Sequence, residues 1–262
     1  MEKRDTENNL GYFDIYPAPM WEAMCKLNPA DCINSTTPHY GPLLYALGRV
    51  IGAHYAIEIG IAEGYSSGFL AWAIKENNVR YAANGRFYGI DLGEKEYIQK
   101  EHDKMGLPST FIGDPQGSIH WLETQKILGP ETVDLVFIDG LHQTEYVSRE
   151  VELLYPLIKG NGNGYICFHD VYSTVEEAFL PISKDPRYQF EMMRFLPNYG
   201  FGILRKMEGY DHKKVFWGPE GDQTDLAVQA GMCNPDGSLR PTEVHGLDPR
   251  DNQTYIFPPG VK

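Results

Sequence analysis

Short apolar runs alternating with amphipathic stretches predict a doubly wound α/β fold, a mostly parallel sheet with helices on both faces and an antiparallel hairpin at one edge. Three observations carry that expectation. Short runs at Tyr55–Gly60, Arg86–Asp91, Ser109–Asp114, Val133–Asp139 and Tyr165–Asp170 each end in a glycine or an aspartate. Helical periodicity fills the gaps between them, which calls for right-handed crossovers between parallel strands. Last, Phe190–Phe195 and Phe201–Arg205 flank Leu196-Pro-Asn-Tyr-Gly200, the pattern of a hairpin.

In chain order, residues 1–37 hold aromatics, prolines and an apolar patch at Met20, Trp21, Met24 and Leu27, and read as an N-terminal cap or lid. Leu43, Leu44, Leu47, Val50 and Ile51 then recur at helical spacing up to Gly52. After the first strand, Ser66 or Ser67 offers a hydroxyl cap to a helix with Phe69, Leu70, Ala73 and Ile74 on one face. The polar stretch Asn77–Arg86 reads as an insertion before the second strand. Helices follow over Tyr97–Met105, Ile119–Leu128 and Thr144–Ile158, the last with Val147, Val151, Leu154 and Ile158 on one stripe. Val133-Asp-Leu-Val-Phe-Ile-Asp139 is the clearest strand. The core therefore spans residues 38–206. Residues 207–262, rich in Gly, Pro, Asp and aromatics, read as an irregular extension wrapped on the core or an oligomer contact.

Composition narrows the function. With 36 acidic against 23 basic residues the formal charge is -13, which repels phosphate backbones, and no basic patch offsets it. A nucleic-acid partner is therefore not expected. The polar start MEKRDTENNL has no apolar leader, and no run approaches the ~20 apolar residues a spanning helix needs. The four scattered cysteines fit plain thiols in a reducing cytoplasm.

Ligands of doubly wound sheets bind beyond the carboxyl ends of the strands. Here those ends carry Glu58-Ile-Gly60, Asp91, Gly113-Asp114, Asp139 and Asp170. Gly60-x-x-x-Gly64 departs from the dinucleotide fingerprint, and an acid two residues before the first glycine suits a ligand bearing positive charge. Asp139 and Asp170 close two neighbouring strands. Two carboxylates in one crevice repel unless a cation lies between them.

Glu58-Ile-Gly-Ile-Ala-Glu-Gly-Tyr-Ser66 resembles the first motif of class I S-adenosylmethionine-dependent methyltransferases, and so predicts their Rossmann-like methyltransferase fold. Val133-Asp-Leu-Val-Phe-Ile-Asp-Gly-Leu-His142 is similar to the catechol and caffeoyl-coenzyme A O-methyltransferase branch. Leu154-Tyr-Pro-Leu-Ile-Lys-Gly160 with Phe168-His-Asp170 resembles bacterial macrocin O-methyltransferases and cephalosporin-hydroxylase-like proteins. The resemblance covers Tyr40 to Arg205. It implies that Glu58, Gly60, Gly64 and Ser66 shape the methionine side of an S-adenosylmethionine site. Asp91 then accepts the ribose hydroxyls, and Gly113, Asp114 and Gln116 border the adenine. It also implies a divalent metal, Mg²⁺ first and Mn²⁺ or another ion next, held by Asp139 and Asp170. His169 stands where those relatives place an acid, which makes it the third ligand and softens the site. His142 falls where they place a lysine base.

The expected chemistry is metal-assisted methylation of a small-molecule hydroxyl, best a vicinal diol on a sugar or aromatic ring. Two rivals stand beside it: a metal-dependent enzyme of related fold that hydroxylates or cleaves the cofactor, and a non-catalytic nucleotide-binding protein.

Overall fold

A computed structural model describes residues 37–195 and 199–210 of the chain. The proposed cap, apart from Thr37, and nearly all of the C-terminal extension lie outside the described residues.

The elements are α1 (Thr37–Val50), β1 (Tyr55–Ile59), α2 (Tyr65–Tyr81), β2 (Arg86–Asp91), α3 (Glu96–Lys104), β3 (Ser109–Gly113) and α4 (Ser118–Thr124), then β4 (Leu135–Ile138), α5 (Thr144–Leu154), β5 (Gly164–His169), α6 (Glu176–Lys184), β6 (Phe190–Phe195) and β7 (Phe201–Lys206). They build one seven-stranded sheet of order β3-β2-β1-β4-β5-β7-β6. β1 pairs in parallel with both β2 and β4, and β5 follows β4 in parallel. β7 returns antiparallel to β5 and pairs antiparallel with β6, as the hairpin pattern required. Strand order reverses between β1 and β4, which opens a crevice at their carboxyl ends.

Why the central strands read as unbroken apolar runs follows from their two covered faces. Along β4, Leu135 and Phe137 pack with Leu44 and Leu70 of α1 and α2 on one side. Val136 and Ile138 pack on the other with Val147, Val151 and Leu154 of α5 and Phe179 of α6. Among the described residues, no helix is long and apolar enough to cross a membrane.

Four local expectations change. Ser66 and Ser67 do not cap α2; its N-cap is Gly64 in the left-handed region, and both hydroxyls turn inward. Asn77 is no insertion residue. It is buried in the last turns of α2, donating to the carbonyls of Gly48 (2.9 Å) and Ala53 (2.7 Å) and so tying α2 to α1 and to the turn before β1. α4 and α5 stop at Thr124 and Leu154, earlier than periodicity suggested. Finally, α6 occupies a stretch without a sequence expectation, because Pro181 interrupts its pattern.

Candidate active site

The crevice begins at the turn after β1. Gly60 has φ +86°, and a Cβ there would lie 2.3 Å from the carbonyl oxygen of Asp139 on the adjacent strand. Gly64, at φ +79°, would press a Cβ to 2.8 Å from Ile98. Both positions favour glycine through their left-handed φ, and at Gly60 the neighbouring backbone also leaves no room for a Cβ.

Glu58, fully buried below this turn, receives the hydroxyl protons of Ser66 and Ser67. Burial pushes its carboxyl up to about 8, although the two hydroxyls pull the other way. At neutral pH it is therefore largely a neutral brace joining β1 to α2, and it is not among the residues that line the cavity above.

That cavity, of about 430 Å³, is lined by Gly60, Asp91, Leu92, Gln116, Ser118 and Tyr146 among others. Asp91 closes β2 and is well anchored. Its Oδ2 accepts from the backbone N–H of Ile61 (3.0 Å) and Ala62 (3.3 Å), and its Oδ1 from Leu92 N–H (2.7 Å). Lys95 Nζ lies 3.2 Å from Oδ2. Burial would raise its pKa, but the Ile61 amide and Lys95 outweigh that and hold it below the ordinary aspartate value. It stays an anionic acceptor on the cavity wall.

At the end of β3 the expected adenine border divides. Gln116 lines the cavity, while Gly113 and Asp114 stand beside it without lining it. The Asp114 carboxylate is held by His120 Nδ1 at 2.7 Å and by the Gln116 N–H at 2.9 Å. Hydrogen bonding from His120 depresses its pKa.

Asp139 and Asp170 follow β4 and β5 directly, and the parallel pairing of those strands brings them together. Asp170 has φ +60°, an uncommon left-handed setting that aspartate tolerates better than most residues. Asp139, His142 and Asp170 offer ligand atoms that all lie within 4.8 Å of one another. His142 Nδ1 is 3.1 Å from Asp170 and 3.0 Å from the Thr174 hydroxyl, and its Nε2 is 3.5 Å from Asp139. His169 is not in that group. Only 2% exposed, it sits behind the acids with Nδ1 3.1 Å from Asp139 and 3.2 Å from Asp170.

The charges respond to one another. The Asp139 carboxylate lifts the His142 pKa against the effect of burial, and Asp170 adds to the lift. Burial pushes Asp139 up, but His142 and His169 bring it below the ordinary value. Asp170 stays raised, by burial first. Two acids thus face one imidazole on the open side and one on the buried side. Gly140 and Leu141, between Asp139 and His142, line the cavity, so the cluster and the cavity adjoin.

Sequence reading did not single out Leu92, Ser118 or Leu141 as lining residues, and assigned no role to Lys95. Lys95 lies four residues after Asp91, a spacing that could have suggested the pair. Leu92, Ser118 and Leu141 carry no local signal.

Residues 57–171 match the model of a methyltransferase domain. No curated protein sequence matches the chain. Solved structures do. The SAH-bound methyltransferase PaMTH1 of Podospora anserina aligns with TM-score 0.58 and 14% identity, over 79% of this chain and 97% of that one. An O-methyltransferase from Bacillus cereus in complex with SAH aligns with TM-score 0.56 and 19% identity, over 73% and 92%. The O-methyltransferase TomG of Streptomyces achromogenes, in complex with SAM, aligns with TM-score 0.55 and 18% identity, over 79% and 99%. Residues 57–171 thus carry the match to a methyltransferase domain, and the sheet that holds them continues the same doubly wound fold to Lys206.

Proposed function

We propose that the chain is an S-adenosylmethionine-dependent O-methyltransferase that methylates a small-molecule hydroxyl with the help of a divalent metal. The observation that carries this reading is the gathering of Asp139, His142 and Asp170 within 4.8 Å, beside a cavity whose wall holds the anionic Asp91. The O-methyltransferases among its structural relatives support the choice of oxygen as acceptor.

The donor set fits a divalent ion. Two carboxylates supply hard oxygen ligands, and without a cation their mutual repulsion is answered only by histidines. Asp139 and Asp170 would hold the ion, and its charge would lower the pKa of a coordinated hydroxyl. Hence a vicinal diol, able to chelate, is the expected acceptor. Asp91 orients the ribose diol, and the turn at Gly60 lets the backbone approach the methionine portion. Aligning methyl and oxygen for in-line displacement is the larger part of the protein's work. His142 takes the hydroxyl proton, held in place by Asp170 and Thr174. Its Nε2 makes no hydrogen bond and faces the Asp139 carboxylate at 3.5 Å, which favours the protonated ring. His169 steadies the two acids from behind.

A second reading makes His142 the third ligand instead of the base, favoured by its place in the 4.8 Å group. His142→Ala separates the two. As base, its loss lowers turnover by roughly 10²–10⁴-fold with metal content retained; loss of bound metal identifies a ligand. For the whole proposal, the assay follows S-adenosylhomocysteine and methylated product by mass spectrometry with a panel of diols. Chelator should abolish product, and Mg²⁺ or Mn²⁺ should restore it. Asp170→Asn should weaken the metal while leaving S-adenosylhomocysteine binding unchanged. Full turnover in excess chelator defeats the metal reading.

A further inference from the structure

One carboxyl near the cavity has no part in the chemistry above. Glu150, on α5, is fully buried, and its Oε2 has no hydrogen-bond partner. Its Oε1 accepts the hydroxyl proton of Ser118, the first residue of α4. Four residues before it on the same helix, Tyr146 places its hydroxyl 3.3 Å from Ser118 Oγ. Ser118 and Tyr146 both line the cavity; Glu150 does not. A serine hydroxyl owns one proton and two lone pairs. Ser118 Oγ can give that proton to Glu150 or to the Tyr146 hydroxyl, and Glu150 is the nearer; with the proton committed there, Ser118 can only accept from whatever enters the cavity.

We propose that Glu150 is a positioning residue that fixes Ser118 as an acceptor and so selects a purine bearing an exocyclic amine over one bearing a carbonyl at that position. This rests on the cofactor reading, in which Asp91 takes the ribose and the base therefore reaches the wall formed by Gln116, Ser118 and Tyr146. An amine offers a proton to Ser118. A carbonyl would set two acceptors against each other with no proton between them, and an acceptor left unpaired in a closed cavity is costly. Burial pushes the Glu150 carboxyl up to about 7, so its acceptor character is complete in mildly alkaline solution.

The experiment is calorimetric titration of the full chain at about pH 8.5 with S-adenosylhomocysteine and with its deaminated counterpart, S-inosylhomocysteine. The wild-type protein should prefer the amine by about tenfold or more. Glu150→Met removes the acceptor, frees the Ser118 proton to turn toward the cavity, and should bring the two affinities within about threefold. Glu150→Gln keeps a carbonyl acceptor and should retain the preference. Ser118→Ala, which removes the accepting oxygen itself, should also lose it. If Glu150→Met weakens both ligands equally, or Ser118→Ala keeps the wild-type ratio, the proposal is overturned and Glu150 is only a structural group. If the wild-type protein binds neither ligand, the cofactor reading fails first and this proposal falls with it.

Discussion

Gly60 shows how tightly single residues are constrained around this site. A methyl group at that position meets the Asp139 carbonyl at 2.3 Å in a backbone setting that L-residues avoid. Gly60→Ala should therefore displace β1 from β4, and with them Asp139, so that turnover falls more than folding stability does; equal turnover at equal fold content would contradict this. Asp91→Ala should weaken S-adenosylmethionine binding by about 1.5–3 kcal/mol, the worth of a charged acceptor, as calorimetry would read directly. Unchanged affinity in a folded variant would remove Asp91 from the site. His102 makes a third residue-level case, with no part in catalysis. It is fully buried, its Nδ1 lies 2.9 Å from the Ser109 hydroxyl, and its ring stands edge-on to Phe111. Burial holds its pKa down to about 4, against a weaker pull from Asp103. The unfolded chain therefore takes up this proton first as pH falls. Its contribution is complete above about pH 6.5 and drains away toward pH 4, a loss of roughly 3 kcal/mol in all. Between pH 7.5 and 5, the wild type should lose about 2 kcal/mol relative to His102→Phe in denaturant titrations. Glu58 and Glu150, raised rather than lowered, oppose this slope equally in both proteins, so the difference isolates His102.

At the scale of elements, α1 and α2 are joined by polar contacts as well as by apolar packing. Asn77 bridges two backbone carbonyls, Arg49 pairs with Glu76 at 3.1 Å, and the Tyr45 hydroxyl donates to Glu76 at 2.6 Å. Asn77→Leu leaves the Ala53 carbonyl without that donor, while the Gly48 carbonyl keeps the Ala53 N–H at 2.9 Å, and should cost about 1–3 kcal/mol. A change below 0.5 kcal/mol in denaturant titration would mean that the Ala53 carbonyl finds another donor. Sequence periodicity located the strands and α5 because their apolar spacing is local. It could not locate the inward turn of Ser66 and Ser67, since an N-terminal serine suits a cap equally well. Only the buried Glu58 decides between the two. Nor could it find α6, where Pro181 sits inside the helix yet Ala178, Phe179 and Ile182 still bury one face.

For the molecule as a whole, the site is a product of strand order. Asp91 ends β2 while Asp139 and Asp170 directly follow β4 and β5, and the parallel β2-β1-β4-β5 arrangement puts those carboxyl ends at one edge. A ligand lodged across those ends binds only the folded sheet. S-adenosylhomocysteine at 100 times its dissociation constant should therefore stabilise the protein by roughly 2.7 kcal/mol, a rise of several degrees in Tm by thermal scan. The absence of any rise at that ligand concentration would mean that the folded chain does not bind it. By itself the sequence determined the alternating element order, the strand-end acids and the glycine turn, because apolar periodicity and backbone-permissive glycines act over a few residues. Only the tertiary structure decided that His142, not His169, stands on the open side of Asp139 and Asp170. It alone withdrew Glu58 into the interior and set Glu150 behind Ser118. Those outcomes depend on which side chain faces a cavity and which is shut from water, and that is settled by strands and helices far apart in the chain.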